Sequence, residues 1–243
     1  MTHKILSTSN LFEPEIANVL SLVDEFSNKS DVLIEGLAIK ELEKKLAEYH
    51  RSKYCISFSS GFWALVASIV GKSIEGRDEI IMPSLTYRRL DDVAYWAKHV
   101  PVFVDIDPDT LCFYVTQLEA AITDNTQAIL ITYLFGMVPD MQKLIDLCRQ
   151  KKLFIIEDFS QCLNGKYNNQ PVGSFGDLGI YSASSIKTLD TYGGGLAVTN
   201  NSKIASQLRS SQAALAPPSR KLLISKITTD LVRNFATQRF IFH

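Results

Sequence analysis

Lys187 stands in "YSASSIKTLDTYGGG", residues 181 to 195, between a run of small hydroxylated residues and three consecutive glycines. A long cationic side chain where a strand ends is either a solvated loop lysine or an amine held for chemistry. Other residues decide between the two. Asp158 ends the apolar run "LFIIED", which puts a carboxylate at a strand terminus, where it can hold a positive nitrogen or serve as a loop cap or structural ion pair. Ser60 and Gly61, in "SSG" at 59 to 61, form a hydroxyl-glycine turn that opens a helix. Such a turn aims free amides and the positive helix end outward and suits a phosphate, although it is also a common plain cap. Tyr87 follows "MPSLT" and can lay its ring on a planar ligand or pack into the core. Ser182 can add a phosphate hydrogen bond or bond to its own backbone.

These residues need a scaffold that gathers them. Short apolar runs alternate with helix-length segments: "YCISFS" then "SGFWALVASIV", "DEIIMP" then "YRRLDDVAYWAKH", "PVFVDID" then "VTQLEAAI", "AILITYLF" then "DMQKLIDLCRQKK", and "LFIIED". Repeated βα units predict an α/β fold with a mostly parallel sheet covered on both faces. In such sheets ligands bind at the carboxyl ends of the strands. Ser60 with Gly61, Tyr87, Asp158 and the run from Ser182 to Lys187 all fall at such ends. "LGIYSAS" and "GLAVTN" predict two further strands bracketing Lys187, and "YNNQPVGSFGD" reads as a loop.

Helical stripes are expected through Ile16, Val19, Leu20, Val23 and Phe26, through Leu37, Leu42, Leu46 and Tyr49, and through Ile204, Leu208 and Ala213, the last before a break at Pro217 and Pro218. Three regions follow: an N-terminal helical segment (1–35), a ligand-binding large domain (36–215) and an amphipathic tail (216–243). In the tail Ile224, Ile227, Leu231 and Phe235 share one face with basic residues among the polar positions. It packs on a domain or lies as a basic helix on a membrane surface.

Composition narrows the function classes. The 243 residues are 46% hydrophobic, and 25 basic side chains nearly balance 26 acidic ones, so no global field draws nucleic acid. The four cysteines lack C-x-x-C spacing or a nearby histidine, which argues against a metal site and for reduced thiols in the cytoplasm. No apolar stretch is long enough to span a bilayer.

One ligand uses a lysine, an acid, an aromatic face and a helix start with hydroxyls together: pyridoxal 5'-phosphate. Its aldehyde takes the amine, its ring nitrogen the acid, its ring the aromatic face and its phosphate the helix start. "DEIIMPSLTY", "PVFVDIDPDT", "FGMVPDM", "IIEDFSQ", "VGSFGDLGIYSASSIK" and "GGGLAVTN", in that order after "SSG", resemble the DegT/DnrJ/StrS group of nucleotide-sugar aminotransferases over about residues 35 to 212. The resemblance implies the large domain of a type I aminotransferase, a homodimer with active sites at its interface, and amino transfer to a nucleotide-linked keto sugar, usually from glutamate. It assigns Lys187 to the cofactor aldehyde, Asp158 to the ring nitrogen, Tyr87 to the ring face, Ser182 to the phosphate and Gln161 to a cofactor-adjacent position. A dehydratase branch carries histidine in place of this lysine, and Lys187 excludes that branch. Two departures stand out. The phosphate turn, usually Ser-Gly-Thr-Ala, reads Ser60-Gly61-Phe62-Trp63, which puts two bulky rings beside the cofactor. The chain closes at His243 before the group's Gly-x-Asn-x-Arg segment and small carboxy-terminal domain, so a catalytically impaired binding or regulatory module is the alternative expectation.

Overall fold

The computed structural model describes residues 37–71, 75–184, 187–189, 193–215 and 220–236. The expected stripe from Ile16 to Phe26 and the segment 1–35 lie outside them. The described residues from Glu43 onward belong to one compact unit, and the division falls within the first helix, after Leu42. The sheet and the site lie wholly in that unit.

Its centre is a seven-stranded sheet in the order β1-β9-β8-β5-β4-β2-β3, formed by β1 (Tyr54–Phe58), β2 (Glu79–Pro83), β3 (Val100–Val104), β4 (Thr126–Thr132), β5 (Phe154–Asp158), β8 (Leu178–Ser182) and β9 (Gly195–Thr199). All strands run the same way except β9, which is antiparallel to both β1 and β8. The helices are α1 (Leu37–Tyr49), α2 (Gly61–Val70), α3 (Leu90–Trp96), α4 (Val115–Ala121), α5 (Met141–Gln150), α6 (Ser202–Ala214) and α7 (Arg220–Ala236).

Both faces of the central strands are covered. Every residue of β4 is buried, and successive side chains go to opposite cores. Ile129 and Ile131 join Ile81, Ile155, Leu144 and Leu118 on one face, where α4 and α5 lie. Ala128 and Leu130 join Ile80, Ile156, Leu65 and Val93 on the other, where α2, α3 and α6 lie.

Some local expectations shift. β4 stops at Thr132 instead of running on through Phe135, because Leu134–Gly136 turns as a short 3-10 segment with Phe135 at φ 52°. The "YNNQ" loop contains a two-residue hairpin joining β6 (Lys166–Tyr167) to β7 (Gln170–Pro171). Asn168 and Asn169 have φ values of 48° and 63°, the left-handed pair such a tight turn requires. In α6, Ala213 is exposed, while Gln212 donates to the Ser57 carbonyl at 2.6 Å. The tail helix is present as α7, with the side chains of Ile227 and Phe235 outside the described ones and Ile224 exposed. Among the described residues no helix is long and apolar enough to cross a membrane.

The end of α1 departs from the predicted stripe. Its buried positions are Glu43, Ala47 and, just beyond the helix, His50, rather than Leu46 and Tyr49. Glu43 is buried because it is paired. It accepts from the Ser57 amide at 2.8 Å, from the Ser57 hydroxyl at 2.8 Å and from both terminal nitrogens of Arg209, at 3.0 and 2.8 Å. One carboxylate therefore fastens α1, β1 and α6 together.

His50 is 1% exposed, neither ring nitrogen has a hydrogen-bond partner, and its ring lies 4.6 Å from that of Phe159. Burial lowers its pKa to about 4, the nearby Val172 backbone offsetting this only in part. The unfolded chain takes up this proton near pH 6.5, whereas the folded protein refuses it until about pH 4. Stability is thus fully present above pH 6.5 and falls as pH drops through that window, by about 3 kcal/mol from this group. Urea unfolding from pH 7 to 4 should show a shallower loss in His50→Leu than in the parent. Parallel curves would remove His50 as the cause.

Candidate functional site

The carboxyl edge of the sheet collects the predicted residues. β1 ends at Phe58, and the chain turns through Ser60, in extended backbone at φ −163°, into α2. The Ser60 hydroxyl accepts from the Trp63 amide at 3.4 Å and the Ser60 carbonyl from the Ala64 amide at 3.2 Å. The Gly61 and Phe62 amides have no acceptor among the described residues. A helix start with open amides carries partial positive charge and attracts an anion.

This turn is seated on the far end of the chain. Ser182 closes β8 and pairs with Gly195 of β9, which in turn pairs with Phe58 of β1. A β-carbon on Gly61 would lie 2.6 Å from the Ser182 β-carbon, and one on Gly195 would overlap the Ser60 and Gly61 backbone. Glycine is required at both positions because backbone meets backbone there. The Ser182 hydroxyl consequently sits at the foot of α2.

Asp158 lies one strand away, paired with Thr132 of β4 and Ile180 of β8. One of its carboxylate oxygens accepts from the Ser160 amide at 2.9 Å. The Ser160 hydroxyl accepts from the Ser182 amide at 2.8 Å, so Ser160 joins the acid to the phosphate turn. Burial pushes the Asp158 carboxyl pKa up, while the Ser160 bonds and the charge of Lys187 pull it down. Lys187 is half-buried, and its amide donates to the Ser184 carbonyl at 2.9 Å. Just beyond it the Leu189 amide donates to the buried Tyr181 hydroxyl at 2.8 Å, tying the lysine segment back to β8.

The other predicted residues divide. Gln161 uses its side-chain oxygen to accept from the Phe135 amide at 3.1 Å, and so braces the turn after β4. Tyr87 is 58% exposed in the loop after β2, and no described contact joins it to Asp158 or Lys187. Phe62 and Trp63 open α2, with their rings engaged by neighbouring side chains. The Trp63 indole packs edge-on against Trp96 of α3, with ring centres 5.6 Å apart, so it is a helix-packing residue whose amide alone serves the turn. The Phe62 ring meets Trp63 on one side and the Arg89 guanidinium on another.

Sequence reasoning missed Glu157. It is completely buried, yet its carboxylate accepts from the Tyr133 hydroxyl and from the Gly173, Phe175 and Gly176 amides, the last three at 2.7, 2.7 and 2.6 Å. Burial raises its pKa, opposed by the four donors. The signal was present in "FIIED": adjacent strand residues face opposite ways, so if Asp158 reaches the ligand edge, the acid before it points into the core and must be paired. Ser160 and Tyr181, the links to Ser182 and to the lysine segment, carried no comparable signal.

All four cysteines are buried free thiols. Burial pushes Cys55 and Cys148 up to about 12 and Cys112 up to about 11, which keeps them protonated and unreactive. Among the described residues no group of three or more His, Cys, Asp or Glu side chains is placed to hold a metal ion.

Residues 16–218 match the profile of the DegT/DnrJ/EryC1/StrS aminotransferase family. The chain is 34% identical over 179 residues to GDP-perosamine synthase of Escherichia coli O157:H7, covering 74% of this chain and 49% of that protein. It is 32% identical over 210 residues to a pleiotropic regulatory protein of Geobacillus stearothermophilus, covering 86% and 56%. Its fold is similar to that of a DegT DnrJ EryC1 StrS aminotransferase from Brucella abortus, with TM-score 0.74 and 31% identity over 86% of this chain and 58% of the other. The chain spans about half the length of the curated relatives it matches.

Proposed function

The chain belongs to the DegT/DnrJ/EryC1/StrS aminotransferase family, and from that premise we propose that it forms the cofactor-binding part of an enzyme that transfers an amino group to a nucleotide-linked keto sugar with pyridoxal 5'-phosphate. The observation that carries this reading is one strand edge at which Asp158 is joined through Ser160 to Ser182, with a helix start pressed onto that serine and the Lys187 charge acting to lower the Asp158 pKa. The likeness to GDP-perosamine synthase supports the sugar substrate. Glutamate as donor and a homodimer as the working unit belong to the same proposal.

The residues present fit the cofactor. The Gly61 and Phe62 amides with the Ser182 hydroxyl would hold its phosphate, Asp158 its ring nitrogen and Lys187 its aldehyde. When bound, the cofactor supplies an electron sink for carbon acids. Lys187 contributes an amine that accepts a proton from the substrate carbon and returns it. Asp158 would keep a positive ring nitrogen favourable: burial raises its own pKa, the Ser160 bonds and the Lys187 charge oppose that rise, and a cationic ring nitrogen beside it would favour the charged carboxylate further. Ser160 holds Asp158 in register with Ser182, so that acid and phosphate site keep a fixed separation.

Asp158→Asn keeps the shape and removes the charge. Amino transfer should slow by roughly 10²-fold or more, the usual loss when a preorganised electrostatic group is removed, while Asp158→Glu recovers part of it. Single-turnover kinetics with cofactor-loaded protein checks this, and equal rates in parent and Asp158→Asn would remove the acid from the mechanism. A second reading, a regulatory protein that retains the site, is favoured by the likeness to the pleiotropic regulatory protein. It is distinguished by cofactor binding without turnover of any keto sugar in the same assay.

A further inference from the structure

One cation beside the start of α2 has no part in the proposal above. Arg89, the residue before α3, is exposed, and its guanidinium carbon lies 5.0 Å from the centre of the Phe62 ring. Its Nε donates to Asp92 at 2.9 Å, and the Tyr87 hydroxyl is a further polar neighbour. Asp92 engages Nε alone. The two terminal nitrogens have no carboxylate partner among the described residues.

Phe62 is the residue at which the turn departs from Ser-Gly-Thr-Ala, and by itself the change removes a phosphate ligand. The structure shows what the ring holds instead. An aromatic face within about 6 Å of a guanidinium attracts it and limits where it can move. Asp92 fixes the Nε side, and the terminal N–H groups, with the Tyr87 hydroxyl beside them, form the other side of a planar fork. Such a fork matches two phosphoryl oxygens at once and binds them more strongly than a neutral hydroxyl does. The loop carrying Arg89 follows β2 at the same carboxyl edge, and its guanidinium meets the ring of Phe62 in the first turn of α2.

We infer that Arg89, steadied on Phe62, anchors a phosphoryl group at the start of α2 and replaces the missing hydroxyl. The inference rests on the cofactor reading of this site and deepens it by assigning a side chain to phosphate recognition. Two sources carry this chemistry, the phosphate of pyridoxal 5'-phosphate and the diphosphate of a nucleotide-linked sugar, and either satisfies the fork.

The test measures binding of pyridoxal 5'-phosphate, pyridoxal, GDP and dTDP to the parent chain and to Arg89→Gln, Arg89→Lys, Phe62→Leu and Phe62→Thr. Arg89→Gln should weaken a phosphorylated ligand about 10- to 100-fold, the span of a charge-assisted hydrogen bond, and leave pyridoxal unchanged. Arg89→Lys should recover part of the loss. Phe62→Leu should lose less than Arg89→Gln, and Phe62→Thr, with its hydroxyl restored, should make a second change at Arg89 less costly. The position is exposed, so the urea midpoint should stay put and a fall in affinity is not a folding defect. A loss confined to pyridoxal 5'-phosphate assigns the fork to the cofactor, and a loss confined to GDP or dTDP assigns it to the substrate. If the parent binds pyridoxal 5'-phosphate and Arg89→Gln binds every phosphorylated ligand equally well, the inference is overturned and the proposed function stands. If the parent binds no phosphorylated ligand at all, both fall.

Discussion

Replacing Lys187 by alanine is expected to lower amino transfer by about 10⁴-fold or more, since one side chain then fails both as the amine that joins the cofactor and as the base that moves the proton. The loss should be chemical and not structural. Lys187 is half-buried at the strand edge, its described hydrogen bond is made by its backbone, and the segment is tied down by Leu189 to Tyr181. Lys187→Arg keeps a cation but offers no free amine, so it should not restore turnover. Borohydride reduction of the cofactor-loaded parent, followed by peptide mapping, should leave a cofactor-derived label on Lys187 and none in Lys187→Ala. A label on a different lysine in the parent, or near-parent turnover by Lys187→Ala, would sink the assignment.

The largest expected stability effect lies one residue before the proposed acid. Glu157→Ala deletes the acceptor of four donors and leaves the Tyr133 hydroxyl and the Gly173, Phe175 and Gly176 amides buried with nothing to bind. Breaking a buried, charged network of this kind costs about 3–5 kcal/mol. For a domain of this size that lowers the thermal midpoint on the order of 10 °C. Tyr133→Phe removes a single donor and should cost less than half as much. The loop cannot easily reshape to compensate: Gly173 has φ 84°, and a β-carbon there would lie 2.5 Å from the Phe159 ring. Calorimetry on the two variants checks the ranking. A midpoint for Glu157→Ala within a degree or two of the parent would mean that the four bonds add nothing net.

Much of the edge was legible because its signals are local. Strand runs ending in Asp158 and Ser182, and a Ser-Gly turn opening a helix, each announce their element within a few residues. The parallel alternation then brings those ends to one side. What stayed hidden depends on partners distant in the chain. Nothing near Glu43 in sequence announces Arg209, yet that pair explains why a charged residue occupies the inner face of α1. His50 follows a helix with nothing beside it in sequence to announce its burial against Phe159. The packing of the Trp63 indole on Trp96 of α3 likewise cannot be read from the phosphate turn alone.

The reversed strand β9 sets the order in which the site can come into being. Tyr54 to Phe58 leave the ribosome early, but their partner in the sheet is Thr199 to Gly195, made much later. At about 5–20 residues per second, on the order of ten seconds passes between the two. Throughout that interval β1 has no neighbouring strand, and until Gly195 is made the Ser60–Gly61 turn lacks the strand that brings it to Ser182. Such distant pairing makes for slow assembly. The anion cradle is therefore among the last parts of the sheet to close, and a nascent chain stalled before Gly195 carries the lysine and the acid without a finished seat for a phosphate.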